Sequence, residues 1–362
     1  MRLRWVELLN FRNHADTRVA VPEGLVVAVG PNGSGKTNLM EAMFFLCSLT
    51  SPRVSDTKPL VHEGTAAGYV RGEVESLQGK ALIEIEIPAA GANRVQVNRS
   101  PVRRKRDVRR QARAVFFGPD DLDVVRGDPG QRRRFLDEAV VALWPLKESL
   151  ITGYDRTVRQ RNRLLKDWEG RAAPTGLEAW DAELVEKGCA LTRARAEAVT
   201  RMAPHAEEEF LHLTGYGLTC RHAASVEGDP LEEAFRARLA ARREDELIRR
   251  TTLVGPHRDD VGLTVRDMGA RAFASHGEAW AAALCLRIGL ATAVAEELGE
   301  APIVLLDDPF SALDPVRQIQ AAERLAGRGQ VVVSVADESH VPKNADEVWE
   351  VAAGSVVIRG AS

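Results

Sequence analysis

The spacing of apolar residues near the N-terminus predicts a buried strand followed by a helix. Leu25–Val29 is a short apolar run, which suits a strand that is covered on both faces. A helical pattern follows over residues 36–49. Over residues 69–98 apolar and polar positions alternate, with Ile83 and Ile85 on one face, and this spacing predicts an antiparallel meander.

The middle of the chain has the period of helices. Asp128 and Pro129 suit the N-cap and the first residue of a helix. Helical segments continue to about residue 248, with breaks near residues 170–176 and 215–228. No heptad repeat is sustained through them, so we expect no long coiled coil.

Strand-like sequence returns in the last third of the chain. We predict a long helix there at Gly277–Leu298. We also predict four strands, at Thr251–Val254, Val261–Val265, Ile303–Leu306 and Val331–Val335. The order of elements predicts an α/β protein with a mixed core sheet, an antiparallel meander and an inserted helical domain. We place the domain boundaries at residues 1–120, 121–249 and 250–362.

The net charge hides a strong asymmetry along the chain. With 49 basic and 52 acidic residues the formal charge is −3, which by itself argues against a protein that grips nucleic acid. Residues 99–166, however, contain 18 basic and 9 acidic side chains, whereas the other 294 residues contain 31 and 43. This local excess of positive charge bears on partners more than the total does.

The sequence carries no sign of secretion or of a membrane span. Its N-terminus lacks the apolar core of a signal peptide, and no apolar stretch approaches the roughly 18 residues that a transmembrane helix needs. The four cysteines form no C-x-x-C pair, so neither zinc nor a disulfide framework is indicated. We therefore expect a cytoplasmic protein without a membrane partner.

A phosphate-binding loop follows the first apolar strand. The segment fits the pattern G-x-x-x-x-G-K-[ST] and opens the predicted helix, which is the context that the motif requires. We expect Lys36 to reach the β- and γ-phosphates of ATP and Thr37 to bind Mg²⁺. The loop consists of Gly30, Pro31, Asn32, Gly33, Ser34, Gly35, Lys36 and Thr37.

A second acidic motif predicts the other half of an ATPase site. The apolar strand from Ile303 ends in two carboxylates, Asp307 and Asp308, as a Walker B strand does. We expect Asp307 to hold Mg²⁺ and Asp308 to act as general base. Asp307 lies 271 residues after Lys36, so the site must close around a large insertion.

Two shorter motifs flank the Walker B strand. Ser275, Gly277 and Glu278 stand at the start of a long helix, where the first N–H groups face an anion. Asp314 ends the sequence Ser-Ala-Leu-Asp after the strand. Taken alone, the first could be only a helix cap and the second only a turn with an N-cap.

The order of these motifs resembles the ABC-type ATPases, and within them the RecF family of SMC-like DNA repair ATPases is the closest match. The resemblance spans nearly the whole chain. It rests on segments at Leu8–His14, Phe117–Leu122, Gly127–Pro129, Arg132–Asp137, Gly255–Asp260 and Leu306–Asp314.

The resemblance implies an ABC-type P-loop ATPase head with a helical arm in place of a long coiled coil. It implies a homodimer that sandwiches two ATP molecules, in which Ser275, Gly277 and Glu278 meet the γ-phosphate held by the partner and Asp314 works across the interface. Three residues are implied near the nucleotide of their own subunit, namely Arg12, Asn13 and Asn38.

Three positions depart from the pattern of the families that the chain resembles. Glu278 stands where the RecF family usually has Gln, which brings negative charge toward phosphate. Asp308 replaces the Glu that is common in ABC ATPases, so we expect slow hydrolysis. Asp337 lies where many ABC proteins carry a switch histidine.

Runs of basic residues predict a surface that binds the DNA backbone without reading its sequence. There are three such runs, and the last of them lies on one stripe of a predicted helix, with Arg156, Arg159, Arg163 and Lys166. Cations at the start of a helix oppose its dipole, so folding alone does not account for the second run. The first run spans residues 99–113, where we expect DNA contacts from Arg103, Arg104, Lys105, Arg106, Arg109 and Arg110, and the second run consists of Arg132, Arg133 and Arg134.

The resemblance implies an ATP-gated DNA clamp with a weak, DNA-stimulated ATPase activity. Its implied role is in gap repair, replication restart and the SOS response, with RecR and RecO as partners in loading RecA recombinase. Two alternatives share parts of the motif set. An ABC transporter subunit gives no reason for the arginine runs, and an OLD-type nuclease needs a further acidic metal cluster.

Overall fold

The structure, a computed structural model, describes residues 1–168 and 174–359. The chain divides into two compact units. The head unit consists of Met1–Leu122, His205–Gly217 and Ala274–Ser362. The arm unit consists of Asp123–Pro204 and Leu218–Phe273.

Strands dominate the head unit and helices dominate the arm unit. The strands are β1 (Arg2–Phe11), β2 (His14–Ala20), β3 (Leu25–Val29), β4 (Ala67–Ser76), β5 (Gly79–Pro88), β6 (Arg94–Val97), β7 (Ser100–Val102), β8 (Ala114–Phe117), β9 (Leu218–Ala223), β10 (Asp260–Val265), β11 (Met268–Gly269), β12 (Ile303–Asp307), β13 (Val331–Val335), β14 (Glu347–Ala352) and β15 (Ser355–Ile358).

The α-helices are α1 (Lys36–Ser48), α2 (Lys105–Gln111), α3 (Leu122–Arg126), α4 (Pro129–Leu143), α5 (Glu148–Lys166), α6 (Leu177–Thr214), α7 (Leu231–Ala241), α8 (Arg243–Arg249), α9 (Ala270–Phe273), α10 (His276–Leu298) and α11 (Pro315–Leu325). Short 3₁₀ turns lie at Lys58–Leu60, Pro119–Asp121, Pro145–Lys147, Pro256–Arg258 and Glu338–His340.

The head unit contains the two sheets that the sequence predicted. The core sheet has the order β15-β14-β3-β13-β12-β8, in which the β14–β15 pair is antiparallel and all other pairs are parallel. The second sheet, with the order β2-β1-β4-β5-β6-β7, is antiparallel and contains the predicted meander. Within residues 1–168 and 174–359, an α/β head with a mixed core sheet and no long coiled coil is therefore confirmed.

Apolar runs explain why the core strands lie in the middle of the head unit. All five residues of β3, β12 and β13 are buried, as expected for strands that are covered on both faces. Helix α1 is buried along most of its length and packs into the same cluster. This burial places the loop between β3 and α1 on a rigid base.

Helix α10 is a core helix of the head unit. It is long and apolar enough to cross a membrane, but 78% of its most apolar 18-residue segment is buried inside the protein. Small residues let it pack closely, because Ala279, Ala281, Ala282 and Ala283 are all buried.

The arm unit contains a small apolar core and a three-stranded sheet. The sheet has the order β11-β10-β9, with antiparallel pairs. Tyr154, Leu184 and Phe235 lie in the core cluster. Gly255 is required there, since its φ is +125° and a Cβ would lie 2.3 Å from the Tyr154 hydroxyl oxygen.

Within the Gly255–Asp260 motif, Asp259 is a buried residue that joins several parts of the arm unit through hydrogen bonds. The carboxylate of Asp259 is fully buried and accepts hydrogen bonds from the Ser225 N–H (2.8 Å) and from Arg195 and His222. Burial lowers the pKa of His257 to about 4, so its ring is neutral. The ring accepts from the Tyr154 hydroxyl at 2.7 Å through Nδ1 and donates to a backbone carbonyl through Nε2.

The observed units differ from the predicted domain boundaries in two places. The arm unit continues to Phe273, because β10 and β11 pair with β9 rather than with a strand of the head unit. The segment His205–Gly217, which includes the end of α6, belongs to the head unit. The first break lies after Leu122, close to the predicted position.

The predicted strand at Thr251–Val254 is wrong. Side chains take the backbone donors that a neighbouring strand would have used, since the Thr252 N–H donates to Asn162 and the Leu253 N–H donates to Glu246. Asp128 occupies the predicted N-cap position of α4 but makes no capping hydrogen bond, because its carboxylate accepts from Arg271 at 3.3 Å.

The structure adds strands that the periodicity did not predict. These include β7 after the meander, β8 at one edge of the core sheet, β9 and β11 in the arm unit, and β14 and β15 near the C-terminus.

A buried arginine ties three helices of the arm unit together. The Arg161 side chain on α5 is fully buried and donates to Asp181 on α6 (2.9 Å) and to Glu246 on α8 (2.5 Å). It also donates to the Thr252 hydroxyl at 2.8 Å. Removing one partner of such a pair leaves a buried charge without compensation.

We predict that Glu246→Ala lowers the free energy of unfolding by about 3–5 kcal/mol, because Arg161 stays buried while it loses one of its two carboxylate partners. Urea unfolding followed by circular dichroism measures this loss. The control is Glu244→Ala on the exposed side of α8, which should change stability by less than about 0.5 kcal/mol. Equal losses for the two variants would contradict the buried-pair account.

Candidate nucleotide site

The loop between β3 and α1 has the backbone of a phosphate cradle. Gly33 and Gly35 have φ values of +82° and +115°, a region that residues with a side chain rarely adopt. A Cβ on Gly35 would lie 2.9 Å from the side chains of Asn13 and His14, whereas a Cβ on Gly33 would meet nothing within 4 Å. The loop is thus packed on the Gly35 side and open on the Gly33 side.

Side chains after β1 hold this loop in place. The Asn13 amide donates to the Ser34 carbonyl oxygen at 3.3 Å, and His14 Nε2 lies 3.0 Å from the Gly35 carbonyl oxygen. Asn38 in turn donates to Asn13 Oδ1 at 2.8 Å. Asn13 and Asn38 therefore lie at the loop as expected, and His14 is a contact that sequence reasoning missed.

Two polar groups of the loop are ready to meet an anion. The Lys36 Nζ donates to the carbonyl oxygens of Gly30 (2.6 Å) and Pro31 (3.0 Å), and burial lowers the pKa of Lys36. The Ser34 hydroxyl oxygen is buried and has no hydrogen-bond partner among the residues that the structure describes. An unpartnered buried hydroxyl beside a buried ammonium group fits a phosphate ligand.

The P-loop and the Walker B strand meet at one hydrogen bond. The Thr37 hydroxyl donates to the Asp307 carboxylate, with distances of 2.8 and 3.0 Å to its two oxygens. Ser334 lies opposite Asp307 in the β12–β13 pairing and donates to the same carboxylate at 2.5 Å. A hydroxyl and a carboxylate in contact are oxygen ligands of the kind that Mg²⁺ takes.

Asp308 is held in a strained and partly buried position beside this pair. Its φ is +50°, and its N–H donates to the Ser334 hydroxyl at 3.0 Å. Burial, followed by repulsion from Asp307, raises the pKa of Asp308, although His340 and Lys36 act in the opposite direction. A raised carboxyl pKa is suited to proton transfer near neutral pH.

Asp337 stands apart from this group. Its carboxylate caps the 3₁₀ turn Glu338–His340 by accepting from the N–H and hydroxyl of Ser339 at 2.8 and 2.7 Å. His340, three residues later, is the nearby imidazole that lowers the pKa of Asp308. It was not singled out from the sequence.

The signature motif forms a complete capping box at the start of α10. The Glu278 N–H donates to the Ser275 hydroxyl (3.3 Å), and the Glu278 carboxylate accepts from the Ser275 N–H (2.6 Å). The second carboxylate oxygen of Glu278 accepts from the Tyr216 hydroxyl at 2.7 Å. Because Ser275 is exposed, the turn can cap α10 and still bind an anion.

The segment after Walker B packs against this turn. A Cβ on Gly277 would lie 3.2 Å from the Ala312 carbonyl oxygen, and the Trp280 indole donates to the Pro309 carbonyl at 2.8 Å. Asp314 caps α11 by accepting from two backbone N–H groups at 3.0 and 3.1 Å. The predicted N-cap role of Asp314 is therefore present, with its carboxylate half-exposed.

Arg12 is placed by an acidic residue of α1. Its guanidinium donates to both oxygens of the fully buried Glu41, at 2.9 and 3.0 Å, and to the Pro59 carbonyl oxygen. Arg53 donates to the Asn38 amide oxygen at 2.9 Å. The hydrogen bonds of Arg12 are thus made to residues of the head unit. Arg53 is an exposed cation near the loop, and sequence reasoning missed it.

Two of the predicted DNA contacts are corrected by burial. Arg109 is 8% exposed and donates to the Ser48 carbonyl oxygen, so it is part of the head core. Arg132 is 6% exposed and donates to the Asp260 carboxylate and the Gly127 carbonyl oxygen. Pairing with Asp260 offsets the opposing dipole of α4, so the argument from the helix dipole was wrong for Arg132.

The other predicted cations lie at or near the surface. Arg106 is half-buried, and Arg133 is also half-buried and donates to the Asp259 carbonyl oxygen at 3.0 Å. The exposed ones are Arg103, Arg104, Lys105 and Arg110 in the head unit and Arg134 in the arm unit.

Comparison with known proteins places the chain among SMC-like ATPases. The family model described as the RecF/RecN/SMC N terminal domain matches residues 2–357. A DNA replication and repair protein RecF from Frankia alni is 39% identical over 99% of this chain and 100% of its own length. One from Cutibacterium acnes is 38% identical over 95% and 94%.

Solved structures agree with this similarity. The recombination mediator protein RecF-ATP in the RecFOR pathway superposes with a TM-score of 0.89 and 27% identity, over 99% of this chain and 97% of that one. An Smc head domain from Pyrococcus furiosus shares the fold, with a TM-score of 0.59 and 16% identity over 99% and 96% of the two chains.

The raised pKa of Asp308 predicts a pH-dependent gain in stability for Asp308→Asn. The ionised carboxylate opposes folding above its folded-state pKa, and that penalty vanishes below the unfolded value near 3.8. We expect the variant to melt at a higher temperature than wild type at pH 7 and at the same temperature well below pH 3.8.

Asp337→Asn is the control of opposite sign for this measurement. The Ser339 donors lower the pKa of Asp337, so its ionised form favours folding above the unfolded value and the substitution should slightly lower the melting temperature at pH 7. Calorimetric scans over pH 3 to 8 test both. A melting temperature of Asp308→Asn that equals wild type at pH 7 would contradict the cost of burying the ionised Asp308 beside Asp307.

Proposed function

Because the chain belongs to the RecF family of DNA replication and repair proteins, we propose that it is an ATP-gated DNA clamp. ATP closes two copies of the head unit into a dimer on DNA, and hydrolysis reopens it. The observation that carries the proposal is the Thr37–Asp307 hydrogen bond, which brings P-loop and Walker B groups together beside the half-buried Asp308.

ATP binds along the P-loop of its own subunit. The Lys36 ammonium leaves its two carbonyl partners for the β- and γ-phosphates, and the Ser34 hydroxyl gains a phosphate oxygen as acceptor. Thr37 and Asp307 hold Mg²⁺, which neutralises phosphate charge when bound. The relative whose structure is described as RecF-ATP supports ATP as the nucleotide.

The dimer is completed by the signature turn of the partner. Ser275 and His276 are exposed at the N-terminus of α10, and the first N–H groups of a helix have no intrahelical partner. These groups, with Gly277, face the γ-phosphate across the interface, Glu278 stands in the same turn, and Asp314 lies beside them. ATP then stabilises the dimer because it makes contacts that only the closed state allows.

Hydrolysis is slow and serves as a switch. Asp308 accepts the proton of the attacking water, and its raised pKa keeps it a usable base. The short side chain limits its reach, so turnover is weak and is stimulated when DNA favours the closed state. His340 supports the ionised form of Asp308 through its charge.

DNA lies against the exposed cations of the head unit. Arg99, Arg103, Arg104 and Arg110 are exposed close together in sequence, from the β6–β7 hairpin to the last turn of α2. Contacts of this type engage phosphates rather than base edges, so binding depends on salt and on DNA shape. The preferred substrate is gapped DNA with a junction of single strand and duplex.

The cellular role follows from family membership. We infer that the protein works in the cytoplasm with RecR and RecO to load RecA at gaps, in repair, replication restart and the SOS response. A solved relative is described within the RecFOR pathway, which supports RecR and RecO as partners. Membership of the RecF family favours this function over a transporter subunit or an OLD-type nuclease.

ATP should convert the wild-type protein from monomer to dimer, as measured by analytical ultracentrifugation. Lys36→Met should stay monomeric with Mg-ATP, because it loses the cation that binds the phosphates. Asp308→Asn should hydrolyse ATP about 100-fold or more slowly and should accumulate as a dimer. If wild type and Lys36→Met have the same mass with and without ATP, the clamp model is wrong.

An Arg103/Arg104/Arg110→Ala variant should bind DNA more weakly and with less salt dependence. Each lost phosphate contact lowers the slope of log K against log salt by about 0.9, so we expect a reduction of about 2 to 3. The control is Arg236/Arg238/Arg249→Ala, which removes three exposed positive charges from the arm unit. Equal slopes for the first variant and wild type would remove this surface from the proposal.

A further inference from the structure

We propose that Tyr216 is a positioning residue of the signature turn. Its hydroxyl holds the Glu278 carboxylate in the capping box and keeps that negative charge away from the phosphate that the turn meets. The inference rests on the proposed ATP-dependent dimer, in which this phosphate belongs to ATP on the partner subunit.

Hydrogen bonds engage both carboxylate oxygens of Glu278 as well as its N–H. One carboxylate oxygen accepts from the Ser275 N–H at 2.6 Å, and the other accepts from the Tyr216 hydroxyl at 2.7 Å. The Glu278 N–H donates to the Ser275 hydroxyl oxygen at 3.3 Å. Both oxygens of the carboxylate therefore have donors inside the head unit, and these two bonds fix the orientation of the side chain at the helix start.

The position of Tyr216 is itself well defined. Gly215, with a φ of +80°, turns the chain after the end of α6. The Thr214 hydroxyl donates to the Tyr216 carbonyl at 3.1 Å, and the Tyr216 ring packs edge-on against the fully buried Phe210, with 5.7 Å between centroids. The hydroxyl is thus held by the backbone and the ring rather than by Glu278 alone.

The capping box leaves the right groups open for an anion. The Ser275 hydroxyl accepts from Glu278, so its own hydrogen remains available to donate outward. The first N–H groups of α10 point the same way, and the helix dipole favours negative charge there. A free carboxylate in this place would cancel that advantage by repelling phosphate, which makes the orientation of Glu278 decisive.

The rest of the turn is fixed by other contacts. The Trp280 indole donates to the Pro309 carbonyl oxygen, and a Cβ on Gly277 would lie 3.2 Å from the Ala312 carbonyl oxygen. These contacts tie the backbone of the turn to the segment after Walker B, independently of Tyr216. Losing the Tyr216 hydroxyl should therefore remove the donor from one carboxylate oxygen of Glu278 while the helix start stays in place.

A double-mutant cycle of Tyr216→Phe and Glu278→Gln tests the proposal by sedimentation with Mg-ATP. Tyr216→Phe keeps the ring on Phe210 and should weaken the ATP-dependent dimer by about tenfold, the scale of a hydrogen bond to a charged group. In the Glu278→Gln background the same change should cost less than about twofold, because the amide carries no charge to release.

The matched control is Tyr69→Phe, which removes a hydroxyl from the antiparallel sheet of the head unit and should leave the dimer unchanged. Affinity of the monomers for a fluorescent ATP analogue should be equal in all variants, since the P-loop is untouched. A purely structural role of Tyr216 would instead weaken the dimer equally in both backgrounds.

The outcomes separate two kinds of failure. The positioning role is overturned, and the clamp stands, if wild type dimerises with ATP and Tyr216→Phe does so equally well. The same conclusion follows if Tyr216→Phe weakens the dimer equally in the wild-type and Glu278→Gln backgrounds. If wild type does not dimerise with ATP, the proposed function fails and takes this inference with it.

Discussion

The head unit depends on the register of three parallel strands. β13 lies between β3 and β12, with Val335 opposite Val29 and Ser334 opposite Asp307. This register brings the start of α1 next to the end of β12, so that Thr37 and Asp307 form a hydrogen bond although they are 270 residues apart. A slip of one residue would turn Asp307 to the other face of the sheet and remove the site.

The site manages its charges through internal partners that a ligand can replace. Lys36 donates hydrogen bonds to backbone carbonyl oxygens, and the carboxylates of Asp307 and Glu278 accept hydrogen bonds from hydroxyl and N–H donors. Asp308 is the exception, since burial and a like-charged neighbour raise its pKa. This contrast separates carboxylates that organise the site from the one that is poised to exchange a proton.

Much of the positive charge in this chain serves folding rather than binding. Arg132, Arg161 and Arg195 are buried and bonded to carboxylates of the arm unit, and Arg109 is bonded to a carbonyl of the head unit. The excess of basic residues over residues 99–166 therefore overstates the binding surface. Only the exposed members of that set are able to meet a phosphate backbone without breaking a buried pair.

The sequence alone determined the features that depend on local pattern. Apolar runs identified β3, β12 and β13, alternation identified the meander, and the spacing around Lys36, Asp307 and Ser275 identified the two halves of the site and the cap of α10. The tertiary structure decided what depends on distant partners. Ser334 and Tyr216 belong to none of the predicted motifs, and His14, which ends the Leu8–His14 segment, was given no role. All three join the site because sheet register and the return of α6 bring them to it. Burial likewise decided which arginines pair with carboxylates, because it is a property of the packed fold and not of any single run of residues.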